Sequence, residues 1–278
     1  MAEMKKALSF VLLVLMMVAK NVSATEKADV SGIVRTDYYG DSGKASISQV
    51  RFNVFVPTAT DTYYFVRVEP NRYNLDSEDW LKLFFFQYKN ITIGRLPSNE
   101  GYALPTPNKL FTVMWPRISG GFYANGIQIM KLLDTGYSVV FEISGSPDGT
   151  AIRDNLNRSQ VSLRLAKGRA NLIFHYDDNQ NSQAILSGEK SFANFAMLMR
   201  GAFYLRRDEN KEKSGGYIFT EKSFGKKFGL HFQTDFAERS ETINTIGLRF
   251  IQKKGFAILD YEMTPHQNRM LGSVVITF

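Results

Sequence analysis

The chain has no cysteine. That excludes disulfide frameworks, thiolate metal sites and cysteine nucleophiles. Histidine is scarce: His175, His231 and His266 are the only three. No His-Glu-x-x-His, Gly-x-Ser-x-Gly or phosphate-binding Gly-Lys-Ser/Thr motif occurs, so enzyme signatures are thin. Long apolar runs are missing beyond the N-terminal segment; stretches such as 83–86 and 256–259 last four residues. No helical membrane span is expected there. Charge of one sign is also lacking, with 34 Lys+Arg against 27 Asp+Glu, and this modest excess does not point to nucleic acid. Hydrophobic residues make up 44% and aromatics 13% of the 278 positions, which is too apolar for a disordered chain.

Residues 1–24 read as a secretory signal. Lys5 and Lys6 form a charged start, an apolar run covers 7–19, and Val22-Ser23-Ala24 offers small or modest residues for cleavage. The run is too short for a membrane-spanning helix, which needs about 20 residues. A short N-terminal anchor helix is the alternative. Loss of Lys5, Lys6, Lys20 and Glu3 leaves the mature chain, 25–278, with a net charge of +5.

The mature chain alternates. Val50, Phe52, Val54 and Val56 interleave with Gln49, Arg51, Asn53 and Phe55. Tyr137, Val139, Phe141 and Ile143 interleave with Ser138, Val140, Glu142 and Ser144, and the pattern recurs near residues 161, 172, 228 and 246. Period two over about 7–10 residues is the strand signal. A soluble sandwich would alternate similarly. The connections separate the two. Seven short turns (58–61, 88–90, 134–136, 167–169, 188–190, 225–227 and 253–255) alternate with eight further connections. The latter fall at 40–45, 71–79, 97–117, 146–157, 178–181, 208–215, 238–241 and 265–269. Eight loops at one end and seven turns at the other define an antiparallel transmembrane β-barrel of 16 strands. Strands over 91–95 and 183–187 are weakly marked; dropping one hairpin gives 14.

Parity then sorts side chains. A charge facing lipid at mid-depth costs about 2–4 kcal/mol, so charged strand residues should face the lumen. Pore-lining candidates are Arg35, Arg51, Arg67, Glu69, Glu142, Arg164, Arg200 and Arg249, with Asp37, His175, Asp177, Arg206, His231 and Asp235 on the same faces. His175 with Asp177, and His231 with Asp235, share strand faces. An outer-membrane hydrolase would need such a pair beside a nucleophile or activated water. Channel-wall residues are the plainer reading.

The connection 97–117 is unusually apolar, with Leu104, Leu110, Phe111, Val113, Met114 and Trp115. A long loop of that composition is expected to pack on the barrel's inner wall or on a neighbouring subunit. The last strand places Gly272, Val274, Ile276 and Phe278 on one face and ends on the aromatic Phe278.

On these features the mature chain resembles bacterial outer-membrane porins. The stretch Phe84-Phe85-Phe86-Gln87-Tyr88-Lys89-Asn90-Ile91-Thr92-Ile93-Gly94-Arg95-Leu96-Pro97 looks most like the phosphate-selective (O/P-type) porins. A strand pair joined by a short turn there leads through Gly and a basic residue into the long third loop. The chain has no regularly spaced ladder of arginines. The resemblance implies a water-filled channel for passive diffusion of small hydrophilic solutes and ions, in the bacterial outer membrane after signal cleavage. It implies a third loop folded inward as a constriction, flanked by Glu100, Lys109 and Arg117. It further implies that Phe278 is the assembly signal read by the barrel assembly machinery, and that the channel is a homotrimer in contact with outer-membrane lipid. A weak anion preference is expected, because Lys109 and Arg117 outnumber Glu100 at the constriction. No catalytic residue, cofactor, metal or nucleic-acid partner is expected. The alternatives are a barrel hydrolase and a non-conducting barrel serving as adhesin or receptor.

Overall fold

A computed structural model of the chain describes residues 28–40, 42–69, 81–97, 99, 123–145, 159–177, 181–208, 211–237 and 242–278. The expected signal, 1–24, and the loop residues Glu100, Lys109 and Arg117 lie outside the described residues.

The first eight strands are β1 (Asp29–Tyr39), β2 (Lys44–Ala59), β3 (Thr62–Val68), β4 (Leu81–Tyr88), β5 (Ile91–Pro97), β6 (Tyr123–Leu132), β7 (Tyr137–Gly145) and β8 (Ser159–Lys167). The rest are β9 (Ala170–Asp177), β10 (Ser182–Phe192), β11 (Met197–Asp208), β12 (Lys211–Phe224), β13 (Phe228–Ala237), β14 (Ile243–Gln252), β15 (Gly255–Met263) and β16 (Asn268–Thr277). Each strand pairs antiparallel with its sequence neighbours, and β1 pairs with β16, so the sheet closes as a 16-strand barrel. Closure leaves no edge strand with unpaired backbone groups. At the seam Gly32 and Phe278 exchange both backbone hydrogen bonds, at 2.9 and 3.2 Å. The Phe278 ring lies over Gly32, where a Cβ would collide with it, and meets Phe52 edge-on at 6.0 Å.

The two weakly marked strands, β5 and β10, are both present. Two expected connections are corrected. Residues 188–190 are not a turn: Gly188, Glu189 and Lys190 pair with Gly201, Arg200 and Met199 inside the β10–β11 ladder. The chain reverses instead through a 3₁₀ turn, Ala193–Phe195, with Ala196 in the left-handed region. Residues 211–215 are not loop either. Lys211, Glu212 and Lys213 pair with Asp208, Arg207 and Arg206, so a charged hairpin extends the wall. Two of these pairs, Lys211 with Asp208 and Glu212 with Arg207, set opposite charges across the strands and favour the extension, whereas Lys213 faces the like-charged Arg206.

The barrel is inside-out relative to a soluble protein. Its outer face exposes Ile127, Ile143, Phe174, Leu186, Phe232 and Ile246, while Asp235, Asp260 and Glu262 on the inner face have no exposed area. So large an exposed apolar surface marks contact with lipid or protein. Outward aromatics concentrate near the short-turn end, with Tyr88, Tyr137, Phe224 and Phe250, and near the other end, with Tyr38, Tyr176 and Tyr261. Lys89 sits over Tyr88 at 5.3 Å and Lys167 over Tyr137 at 4.4 Å, the arrangement of rings and ammonium groups suited to a membrane–water boundary.

Candidate channel lumen

Direct cross-strand partners share a face of the sheet. That rule puts seven of the eight candidates on the inner face, and Glu69, just past β3, joins them through its bond to Arg51. Arg35 donates to Asp37 at 2.7 Å, and Arg51 donates to Glu69 at 2.8 Å. Arg67 donates to the Asn53 side-chain oxygen at 2.8 Å and stacks over Phe65 at 5.6 Å. Arg200 bonds Glu189, and Arg249 bonds Glu221. Arg164 stands between Val140 and Ile173 in register. Glu142 is buried and accepts bonds from Gln128 at 2.7 Å and Ser144 at 2.8 Å.

Asn99, just beyond β5, is tied to the inner wall. It is fully buried; its backbone N–H donates to Glu142 at 2.7 Å and its amide to Ser162 at 2.9 Å. Both acceptors belong to the inner face of β7–β8. The Gln128 amide donates to the Pro97 carbonyl at 2.8 Å, fixing the chain two residues earlier. Residues flanking this anchor on the inner face, Leu83, Leu96, Ala124 and Val140, are buried.

His231 does not pair with Asp235, as its own strand suggested. Its Nε2 lies 2.7 Å from Asp260, two strands away, and both side chains have no exposed area. Gly247 stands between them in register, and a Cβ there would overlap both side chains. Glycine is required by that close approach. Phe219 stacks on the His231 ring at 5.5 Å. Asp235 instead accepts from Gln233 at 2.8 Å. His175 and Asp177 lie near the loop-bearing end, where Gln183, Arg206 and Lys213 continue the His175 row beside a cavity of about 440 Å³.

Four acids were missed by the sequence reading: Glu189, Glu221, Asp260 and Glu262. Glu262 accepts from Arg269 at 2.6 Å. The alternation Leu259-Asp260-Tyr261-Glu262 carried the signal for two of them. Together they offset the arginine excess that parity alone suggested. Two apolar inner patches were also missed. One, Ile173, Ile185, Ala202, Tyr204, Tyr217 and Phe219 on β9–β12, is buried. The other is the row Phe55–Phe65–Phe85, directly in register across β2–β4 and half-buried. Among the described residues, no three His, Asp or Glu side chains gather to hold a metal ion.

The wall geometry has counterparts among solved structures. Over 92% of this chain and 99% of its own, the outer membrane channel DcaP of Acinetobacter baumannii superposes with a TM-score of 0.64 at 11% identity. OmpT, an outer membrane protein of Vibrio cholerae described in a trimer form, gives 0.61 at 11% identity over 91% of this chain and 99% of its own. A mutant of the Rh. blastica porin gives 0.61 at 14% identity, with the same coverage. The chain has the fold of outer-membrane porins. No family model matches its sequence, and no curated protein matches it. The porin likeness therefore rests on architecture, and the O/P-type resemblance is not carried by any of these relationships.

Proposed function

We propose that this chain is a porin: a barrel of the bacterial outer membrane, reached after cleavage of residues 1–24, that lets small hydrophilic solutes and ions diffuse through. The observation that carries the reading is the closed 16-strand wall with charge inside and exposed apolar side chains outside. Such a surface suits lipid, and such a lining suits water. The channel has no chemistry of its own. The sealed position of His231 and Asp260 favours a wall role over a catalytic one.

The third loop enters the lumen in this reading. Asn99 supports it, because the first anchored residue beyond β5 binds the inner wall. The buried aliphatic side chains around that anchor need an apolar cover, and Leu110, Phe111 and Trp115 can supply one. Glu100, Lys109 and Arg117 then meet the narrow section. Lumen charge elsewhere is nearly balanced, so the weak anion preference comes from Lys109, Arg117 and Arg67. The channel works as a homotrimer, as the trimer form of OmpT suggests. Phe278, locked onto Gly32 at the seam, serves as the assembly signal.

Removing residues 103–114 tests the loop. Single-channel conductance of the folded deletion should rise severalfold over the parent. Unchanged conductance would place the loop outside the pore.

A further inference from the structure

We propose that the inner face of β2–β4 is a binding face for aromatic carboxylates; this rests on the channel reading and names a solute class for it. Four rings meet there. Phe55 and Tyr63 lie 4.8 Å apart, Tyr63 and Phe85 6.1 Å, and Phe85 and Phe65 stack at 5.3 Å. All four share the face that carries Arg51, Arg67 and Glu69, the water side of the wall. The membrane does not ask for them, since Tyr64, Phe84 and Phe86 already cover the opposite face of the same strands. They are not core either. The apolar inner patch on β9–β12 is buried, whereas these four rings remain half-exposed. Rings left facing water in a channel offer stacking surface to a planar solute.

Charge specifies the second half of the ligand. Arg67 lies over the Phe65 ring and donates its Nε–H to Asn53. It has no carboxylate partner among the described residues, whereas Arg35, Arg51, Arg200, Arg249 and Arg269 each have one. A guanidinium with an uncompensated charge beside stacked rings matches a solute that carries a carboxylate on a planar ring. Acetate has the charge without the ring, and a neutral naphthyl alcohol has the ring without the charge. Both should bind worse.

The test is block of potassium chloride current through the protein in planar bilayers, with 2-naphthoate, acetate and 2-naphthalenemethanol as probes. Half-block by 2-naphthoate should need at least about tenfold less probe than either control, the factor that one stack or one charge pair supplies. Phe65→Leu/Phe85→Leu, which keeps apolar bulk, should weaken naphthoate block about tenfold and leave acetate unchanged, and Arg67→Gln should weaken naphthoate block about tenfold and leave 2-naphthalenemethanol unchanged. Folding of each variant is read from its heat-modifiable mobility in gels. Equal block by naphthoate and acetate would overturn the proposal. So would full naphthoate block in the leucine variant, or block that appears only after residues 103–114 are removed, which would mean the loop covers the rings. Calorimetric titration of the detergent-solubilised protein with 2-naphthoate separates the two readings. Binding without any chloride current would remove the channel and keep the site, and current without binding would do the reverse.

Discussion

On β12–β16 the inner wall pairs its acids: Glu221 with Arg249, Asp260 with His231, Glu262 with Arg269. On β2–β4 the wall instead shows half-exposed rings and an arginine held only by an amide and a ring. The two sectors belong to one sheet with one hydrogen-bond pattern. They differ in burial and in ring content: the β12–β16 pairs are sealed, whereas beside the Arg51–Glu69 pair β2–β4 keeps partly exposed rings and Arg67 without a carboxylate among the described residues. Buried ion pairs fix the wall and are poorly placed to take up a solute, because every exchange of partner would cost desolvation. A partly exposed surface of rings beside a guanidinium keeps its capacity for a passing molecule. Charge inventory alone does not describe such a lumen; the pairing state of each charge does.

The comparison can be broken most severely at Gly247. Gly247→Leu forces a side chain into the space shared by His231 and Asp260. Most of the folded, heat-modifiable barrel should be lost, whereas Leu at Gly188, where a Cβ meets nothing within 4 Å, should leave it intact. The next effect is at the pair itself. Asp260→Ala removes the partner of a buried histidine and should cost about 1–3 kcal/mol, seen as a lowered midpoint of the thermal mobility shift. Deleting Phe278 should come next. It removes a backbone exchange and an aromatic contact worth about 0.5–1.5 kcal/mol at the seam, and assembled protein in outer-membrane fractions should fall. The smallest change sharpens the contrast. Arg67→Gln should barely move thermal stability and should shift the reversal potential in a salt gradient toward cations by a few millivolts. Arg249→Gln should differ in stability, lowering the thermal midpoint because the buried Glu221 loses its arginine partner.

Much of this wall was legible in the sequence. Alternation marks the strands because one side chain in two must meet lipid, and that requirement survives in any register. The 16-strand closure followed from counting connections. Two hairpins were misread for a shared reason. Gly188-Glu189-Lys190 and Lys211-Glu212-Lys213 look like turn residues, yet they pair within the β10–β11 and β11–β12 ladders, where polar side chains on a face that meets water suit a strand equally well. The true β10–β11 reversal uses Ala196, which carries no turn signature. Parity put Asp37 and Glu69 on the same faces as Arg35 and Arg51, but not Glu189 and Glu221, which bond Arg200 and Arg249. His231 finds Asp260 only through the registers of two ladders and the absence of a side chain at Gly247. The ring row was visible as individual Phe and Tyr residues; its continuity appears only when β2, β3 and β4 are laid side by side.

The central claim is that the barrel conducts. Purified mature protein, shown folded by its heat-modifiable mobility, should produce stepwise ion currents in a planar bilayer, linear in voltage near zero and rising in proportion to salt. Folded protein that inserts into the bilayer and passes no current would contradict the account and leave a closed barrel of another purpose.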